Sequence, residues 1–253
     1  MSKGKDWTDQ QIENYYLGIK YSDYPSVIWE KIKPKIVGYT SLIDVGCGPG
    51  AFALKAAEES FYVQAVDINH KNLEALNKQI EYLSLDRKRI KTIYGNWLEV
   101  KVEKSDVVIC AYSFGSDIGT RPGLKKILEL TKKYAFCISP YSATQTDFMS
   151  KELYREAGIE PPSFNGSYQD LLLLLADLNK WVSYEIIEYD FGFPLRSKNE
   201  IDSCAVFLSE KLGIPSLKLV KKHLQRILTA KNSFYWVPNP RKSVIITCKR
   251  RAS

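Results

Sequence analysis

A chain of 253 residues, 45% of them hydrophobic, can bury one large α/β core with an insertion or two small cores, and its longest aliphatic run, Leu171 to Ala176, is far short of the roughly 20 residues that span a bilayer. Five widely spaced cysteines (Cys47, Cys110, Cys137, Cys204 and Cys248) form no CxxC pair, and Met1 to Lys20 is polar and mixed in charge, which argues against a disulfide framework, a zinc site or a targeting segment and predicts a cytoplasmic protein. The net charge of +7 is confined to the C-terminal end: Lys211 to Ser253 holds 11 Lys and Arg and no Asp or Glu, which reads as a solvated basic helix and tail or as a docking surface for an acidic partner.

In chain order, Thr8 to Gln11 fits a TxxQ capping box ahead of Ile12, Tyr15, Tyr16 and Ile19 at helical spacing. A short helix over Pro25 to Ile32 is stopped by Pro34. Apolar runs at Leu42 to Val45, Tyr62 to Val66, Ile90 to Tyr94, Val107 to Ala111 and Ala135 to Ser139 then read as strands. Helices are expected between them at Ala51 to Glu59, Lys71 to Leu83 with Asn69 as N-cap, and Pro122 to Lys132. Alternation of this kind predicts a doubly wound, seven-stranded, mostly parallel α/β sheet with N-terminal helices and a helical insertion after strand 5.

A loop with Pro161, Pro162 and Gly166 precedes a helix capped by Ser167, in which Leu171 to Leu175 cover every face and demand burial, a lid role or a subunit contact. Val182 to Tyr189 reads as the sixth strand, Asn199 to Leu212 and Leu217 to Ala230 as helices, and Ser243 to Cys248 as the seventh strand. In the second of those helices Leu217, Val220, Leu224, Ile227 and Leu228 form a core stripe, leaving Lys218, Lys221, Lys222 and Arg226 outward.

The stretch Leu42 to Gly50, LIDVGCGPG, is an apolar strand running into a glycine-rich turn, and Asp67 closes the second strand 21 positions after Gly46. A carboxylate at Asp67 can take both ribose hydroxyls of an adenosine. A dinucleotide site would call for GxGxxG and backbone N–H groups aimed at a pyrophosphate. Here the turn is GxGxG, Pro49 offers no N–H, and Asp44 would repel phosphate while favouring the ammonium and sulfonium of S-adenosylmethionine (SAM). Charge therefore selects SAM over a nicotinamide dinucleotide, and no metal is expected.

Ile43 to Gly50 resembles motif I of the class I SAM-dependent methyltransferases, and Ala65 to Ile68 is similar to the acidic end of their second strand. Tyr94 to Trp97 resembles the loop that holds adenine, and Val107 to Phe114 the fourth strand that faces the transferable methyl. The resemblance implies a SAM-dependent methyltransferase in which Asp44, Gly46, Cys47 and Gly48 surround the methionine end, Asp67 and Ile68 the ribose, Asn96 and Trp97 the adenine, with Ala111 also at the cofactor. Asn96 departs from the usual acid, although an amide oxygen can still accept from an exocyclic amine. On this reading residues 1–253 form one domain: 1–39 a helical lid, 40–140 the SAM-binding core, 141–182 a helical insertion for substrate, and 183–253 the C-terminal strands and basic helix.

Methyl transfer needs alignment and, for some acceptors, removal of a proton. No catalytic dyad stands out: His70 reads as a polar residue at a helix start and His223 lies in the basic helix. Tyr112, Phe114 and Tyr141, just past strands 4 and 5, are candidates for lining the methyl site or for ordinary packing. Tyr15 and Tyr16 are candidates for closing over the substrate or for packing in the core. Three readings stay open: transfer to a small molecule, transfer to RNA or DNA gripped through Lys218, Lys221, Lys222 and Arg226, and a non-catalytic scaffold. A homodimer is compatible with the leucine-rich helix. Against a nucleic-acid acceptor, Ala111 to Phe114 (AYSF) lacks the [DN]PP[YFW] form of amine-methylating base modifiers, and neither Cys110 nor Cys137 stands in the setting of cytosine C5 enzymes.

Overall fold

A computed structural model describes residues 7–142, 144, 146–162, 167–179, 181–231 and 233–250. Gly166 of the expected loop lies outside them. The chain begins with α1 (Asp9–Tyr21), whose capping box closes in both directions, Thr8 Oγ1 accepting from Gln11 N at 3.2 Å and Gln11 Oε1 from Thr8 N at 2.9 Å. After α2 (Ser26–Ile32) come β1 (Ser41–Val45), α3 (Ala51–Glu58), β2 (Tyr62–Asp67), α4 (His70–Tyr82), β3 (Ile90–Tyr94), β4 (Ser105–Ala111), α5 (Arg121–Leu130) and β5 (Thr131–Pro140). Next are α6 (Lys151–Ala157), α7 (Tyr168–Leu178), β6 (Val182–Asp190), β7 (Phe193–Leu195), α8 (Ile201–Leu212), α9 (Leu217–Ile227), β8 (Thr229–Lys231), β9 (Phe234–Val237) and β10 (Pro240–Lys249).

Seven strands form the main sheet in the order β3-β2-β1-β4-β5-β10-β6, parallel except that β10 runs antiparallel to both neighbours. The doubly wound expectation therefore holds. Ile28, Trp29, Phe52, Leu73 and Leu76 cover one face of the sheet through α2, α3 and α4, and Leu124, Ile127, Leu171 and Leu175 cover the other through α5 and α7. Burial on both faces explains why β1 and β4 run mostly apolar rather than alternating, with Asp44 as the charged exception inside β1. No helix among the described residues is long and apolar enough to cross a membrane.

A third core departs from the sequence reading. Phe148, Leu153 and Tyr154 pack with Phe193 and Leu195 of β7, Leu208 of α8, Leu224 of α9 and Val237 of β9. Two segments, one between β5 and β6 and a larger one between β6 and β10, thus build one cap with its own small antiparallel sheet, β7-β9-β8. The expected substrate region at 141–182 contributes only its first part to this cap, because Leu171 and Leu175 draw α7 onto the opposite face of the main sheet. The helix expected to reach Ala230 stops at Ile227, where Leu228 turns extended (ψ 130°) and feeds β8.

Candidate active site

The strand order reverses between β1 and β4, and a cleft of about 540 Å³ opens beyond the carboxyl ends of β1, β2 and β4, with the cap as its far wall. Asp44, in the middle of the sheet, is 2% exposed, and its Oδ2 has no hydrogen-bond partner among the described residues. Burial, reinforced by the nearby Asp67 charge, pushes its carboxyl up to about 7. A buried acceptor left open in this way is suited to a cationic ligand.

Just beyond it the chain turns through Gly46 and Gly48, at φ +65° and +55°. A Cβ on Gly46 would stand 2.4 Å from Ser113 Oγ, the hydroxyl that donates to Gly46 O at 2.9 Å, so glycine here lets the turn lie against the loop after β4. A Cβ on Gly48 would meet nothing within 4 Å, so this side of the turn is open. Gly48 N–H donates to Asp67 Oδ2 at 2.7 Å, while Asp67 Oδ1 accepts from Asn69 N–H at 2.8 Å and from Asn72 Nδ2 at 3.4 Å. Burial raises the Asp67 carboxyl above its usual range even though these donors pull it down. Asp67 is thus a strut for the turn as well as an acceptor at its rim.

The N-terminal helix closes one side. Tyr16 donates its hydroxyl proton to Pro49 O at 2.8 Å, Tyr15 lines the cleft, and Asp9 pairs with Lys71 at 2.8 Å. Opposite them Tyr112 takes a left-handed φ of +57°, which swings its ring into the cleft. Its hydroxyl is joined by a short hydrogen bond to Tyr189 and donates to Ser243 Oγ at 2.9 Å. Tyr24 stacks on Tyr189 at 5.6 Å between ring centroids and tilts against Phe191 at 4.4 Å. Burial raises the hydroxyls of Tyr15, Tyr16, Tyr24, Tyr112 and Tyr189, which holds all five protonated. From the cap side come Phe148, Phe193 and Phe207, together with an ion pair between Arg241 and Asp147 whose side chains are 13% and 22% exposed.

Of the residues expected at the site, Asp44, Gly46, Cys47, Gly48, Asp67, Ala111, Tyr112, Tyr15 and Tyr16 do gather around the cleft. Others do not. Trp97 is 3% exposed, donates Nε1–H to Gly123 O at 3.0 Å and belongs to the core beneath α5. The Asn96 oxygen expected for adenine already accepts from Leu98 N–H at 2.8 Å, and its amide donates to Asp117 Oδ2 at 2.7 Å. Ile68 is 58% exposed and outside the cleft lining. Phe114 packs toward the α5 and α7 face, and Tyr141, just past the end of β5, stacks on Tyr168 at 5.3 Å there, outside the cleft lining. Neither histidine lines the cleft: His70 pairs with Glu74 at 3.0 Å, and His223 Nε2 is hydrogen-bonded to Phe148 O at 2.8 Å.

Tyr24, Asp147, Tyr189, Phe191 and Arg241 were not singled out from the sequence. One signal existed for Arg241: it precedes Ser243 by two, so both share a face of β10, the face that meets Tyr189.

Residues 42–133 match a family model described as a methyltransferase domain. An uncharacterised protein of Haemophilus influenzae is 27% identical over 126 residues, which is 49% of this chain and 45% of that one, so the match spans under half of the relative's length. Among solved structures, Haemonchus contortus phosphoethanolamine N-methyltransferase 2 in complex with SAM covers 98% of this chain with 58% of its own (TM-score 0.60, 14% identity). A putative methyltransferase from Bacillus halodurans covers 88% of this chain with 98% of its own (TM-score 0.57, 11% identity). These likenesses establish the fold shared with those proteins.

Proposed function

Starting from a chain that carries a SAM-dependent methyltransferase domain of class I, we propose that it transfers a methyl group from SAM to a small molecule held in the cleft beneath the cap. The observation that carries the reading is Asp44: a buried carboxylate with one oxygen unpartnered, under a glycine turn open at Gly48. Such a carboxylate fits an ammonium and a sulfonium and opposes a pyrophosphate. When bound, SAM supplies an electrophilic methyl on a positively charged sulfur.

The chain's own residues then have definable tasks. Asp44 neutralises the cationic end, the turn from Gly46 to Gly48 lies along it without a Cβ in the way, and Asp67 accepts from the ribose while keeping Gly48 in place. Tyr112 and the stacked Tyr24 and Tyr189 present neutral hydroxyls and ring faces, which orient an acceptor but do not deprotonate it. Catalysis is therefore alignment and exclusion of water, with an acceptor that arrives nucleophilic.

Transfer to RNA or DNA draws less support. Lys221 pairs with Asp202 at 2.9 Å, and Lys222 and Arg226 pair with Glu156 at 3.6 and 2.6 Å, so three of the four candidate cations are engaged within the chain. A scaffold gains nothing from Asp44, whose unmet burial costs stability. Calorimetric titration with SAM, S-adenosylhomocysteine and NAD tests the reading: SAM and its product are expected to bind and NAD not, and tight NAD binding with no SAM binding would overturn it. A screen of small acceptors with labelled methyl then identifies the product.

A further inference from the structure

Building on the reading of this cleft as the methyl-transfer site, we propose that the acceptor carries a carboxylate held by the guanidinium of Arg241, at one end of a flat, apolar body. Arg241 lies near the start of β10, which runs antiparallel to β5 and so enters the sheet at the end where the parallel strands finish. Its side chain is only 13% exposed. A guanidinium presents five N–H groups, yet among the described residues Nη1 alone is hydrogen-bonded, to Asp147. The remaining nitrogens are not sealed off, and the residue lines the cleft.

Open donors on a desolvated cation cost stability, and a carboxylate satisfies two of them side by side. Asp147 occupies one edge of the fork and leaves the other for a ligand. Tyr112, just after β4, and Tyr24 lie near enough for their hydroxyls to act on the guanidinium charge. Those hydroxyls are themselves engaged, Tyr112 with Tyr189 and Ser243 and Tyr24 with Tyr15, so the donors left open at this end of the cleft belong to Arg241. The stacked and tilted rings of Tyr24, Tyr189 and Phe191 then form a flat apolar wall for the rest of the molecule. Lys211 also lines the cleft, but on the exposed end of α8.

Two other anions suit the fork less well. The carboxylate of SAM is attached to the same carbon as its ammonium, and Asp44, which fits that ammonium, stands on β1. Between β1 and β10 lie β4 and β5, which puts the two strands roughly 14 Å apart across the sheet. A phosphate dianion would meet a single cation already paired with Asp147, and would leave excess negative charge in a desolvated site.

Protein-observed NMR titrations of the full chain, alone and saturated with S-adenosylhomocysteine, test this with benzoate, phenylacetate, hydrocinnamate, their primary amides and inorganic phosphate. In both states the tightest acid is expected to bind about tenfold or more tightly than its amide or phosphate. Arg241→Gln should erase that preference. Asp147→Asn, which frees Nη1 and removes a competing carboxylate, should tighten acid binding about threefold, whereas an ion pair that only ties cap to sheet would weaken binding in both variants. Asp147→Asn also keeps the test decisive if Arg241→Gln fails to fold. Absence of acid binding, an amide or phosphate that binds as tightly, a preference that survives Arg241→Gln, or weaker binding in Asp147→Asn overturns the proposal. So does an acid that S-adenosylhomocysteine displaces, since the fork would then hold the cofactor's own carboxylate. S-adenosylhomocysteine that fails to bind while the acid preference stands would instead sink the SAM reading and leave Arg241 as a carboxylate site.

Discussion

Asp44 answers two opposed demands, since the fold would be better off without its charge and the ligand needs it. A carboxyl raised to about 7 binds more protons folded than unfolded, so stability falls as pH rises from its ordinary value through 7, and the cost is complete above that. Asp44→Asn is therefore expected to melt higher than the wild type above pH 7 and alike near the acidic end, as scanning calorimetry over that range would reveal; parallel profiles would remove Asp44 as the cause. The same variant should bind SAM weaker by on the order of a hundredfold, the worth of a charge-assisted contact. Wild-type affinity should fall as pH drops below about 7 and the ionised form is lost, and the variant's should not. Asp67→Ala acts differently, because it frees the Gly48 and Asn69 amides as well as losing an acceptor. Loss of SAM binding is expected with a modest drop in melting temperature, and unchanged affinity would place the ribose elsewhere. Motif chemistry made Asp44, Gly46, Gly48 and Asp67 legible, since strand, turn and acid are contiguous or evenly spaced. Tyr24, the Tyr189–Phe191 stretch and Arg241 come from three segments far apart in the chain that only tertiary packing unites, while Trp97 is buried beneath α5 and the Asn96 oxygen accepts from the Leu98 amide.

Among elements, α1 is tied to the glycine turn by the hydrogen bond from Tyr16 to Pro49 O and by the exposed pair between Asp9 and Lys71, while Tyr15 bonds with Tyr24 and the Ala51 backbone. Tyr16→Phe keeps the ring and deletes the bond, worth roughly 0.5–1.5 kcal/mol, so SAM affinity should fall about three- to tenfold, mainly through faster dissociation in stopped flow. An unchanged off-rate would show that α1 is packing and not a lid. The strands and helices of the main sheet were readable because short apolar runs alternate with capped helical segments, and each observed element lies within a few residues of its expected place. What escaped was the cap. Its strands β7, β8 and β9 have three or four residues each, too few for a period to register, and two of its segments are separated in the chain by β6.

At the scale of the whole molecule, the C-terminal charge excess reads in sequence as a solvated basic helix and tail or as a docking surface for an acidic partner, and the fold pairs much of it internally. The acidic partners lie elsewhere in the chain: Asp202 on α8 and Glu156 on α6 meet the outward lysines and arginine of α9, while Arg241 turns inward to Asp147 in the cleft. Burial lowers the pKa of Arg241, and its place beside Tyr112 and Tyr24 makes it part of the cleft wall instead of a surface cation. Binding to a polyanion releases counterions in proportion to the phosphates neutralised, giving a steep fall of affinity with salt for any protein that uses many cations. For this chain, binding to a mixed-sequence RNA or DNA duplex is expected to be weak even at low salt. Charge reversal at Lys221 and Lys222 should leave what binding there is nearly unchanged, since it breaks internal pairs more than external contacts. Fluorescence anisotropy across a salt series decides the matter: a steep slope that the double reversal flattens would move the acceptor from the cleft to the basic face and make the polynucleotide the substrate.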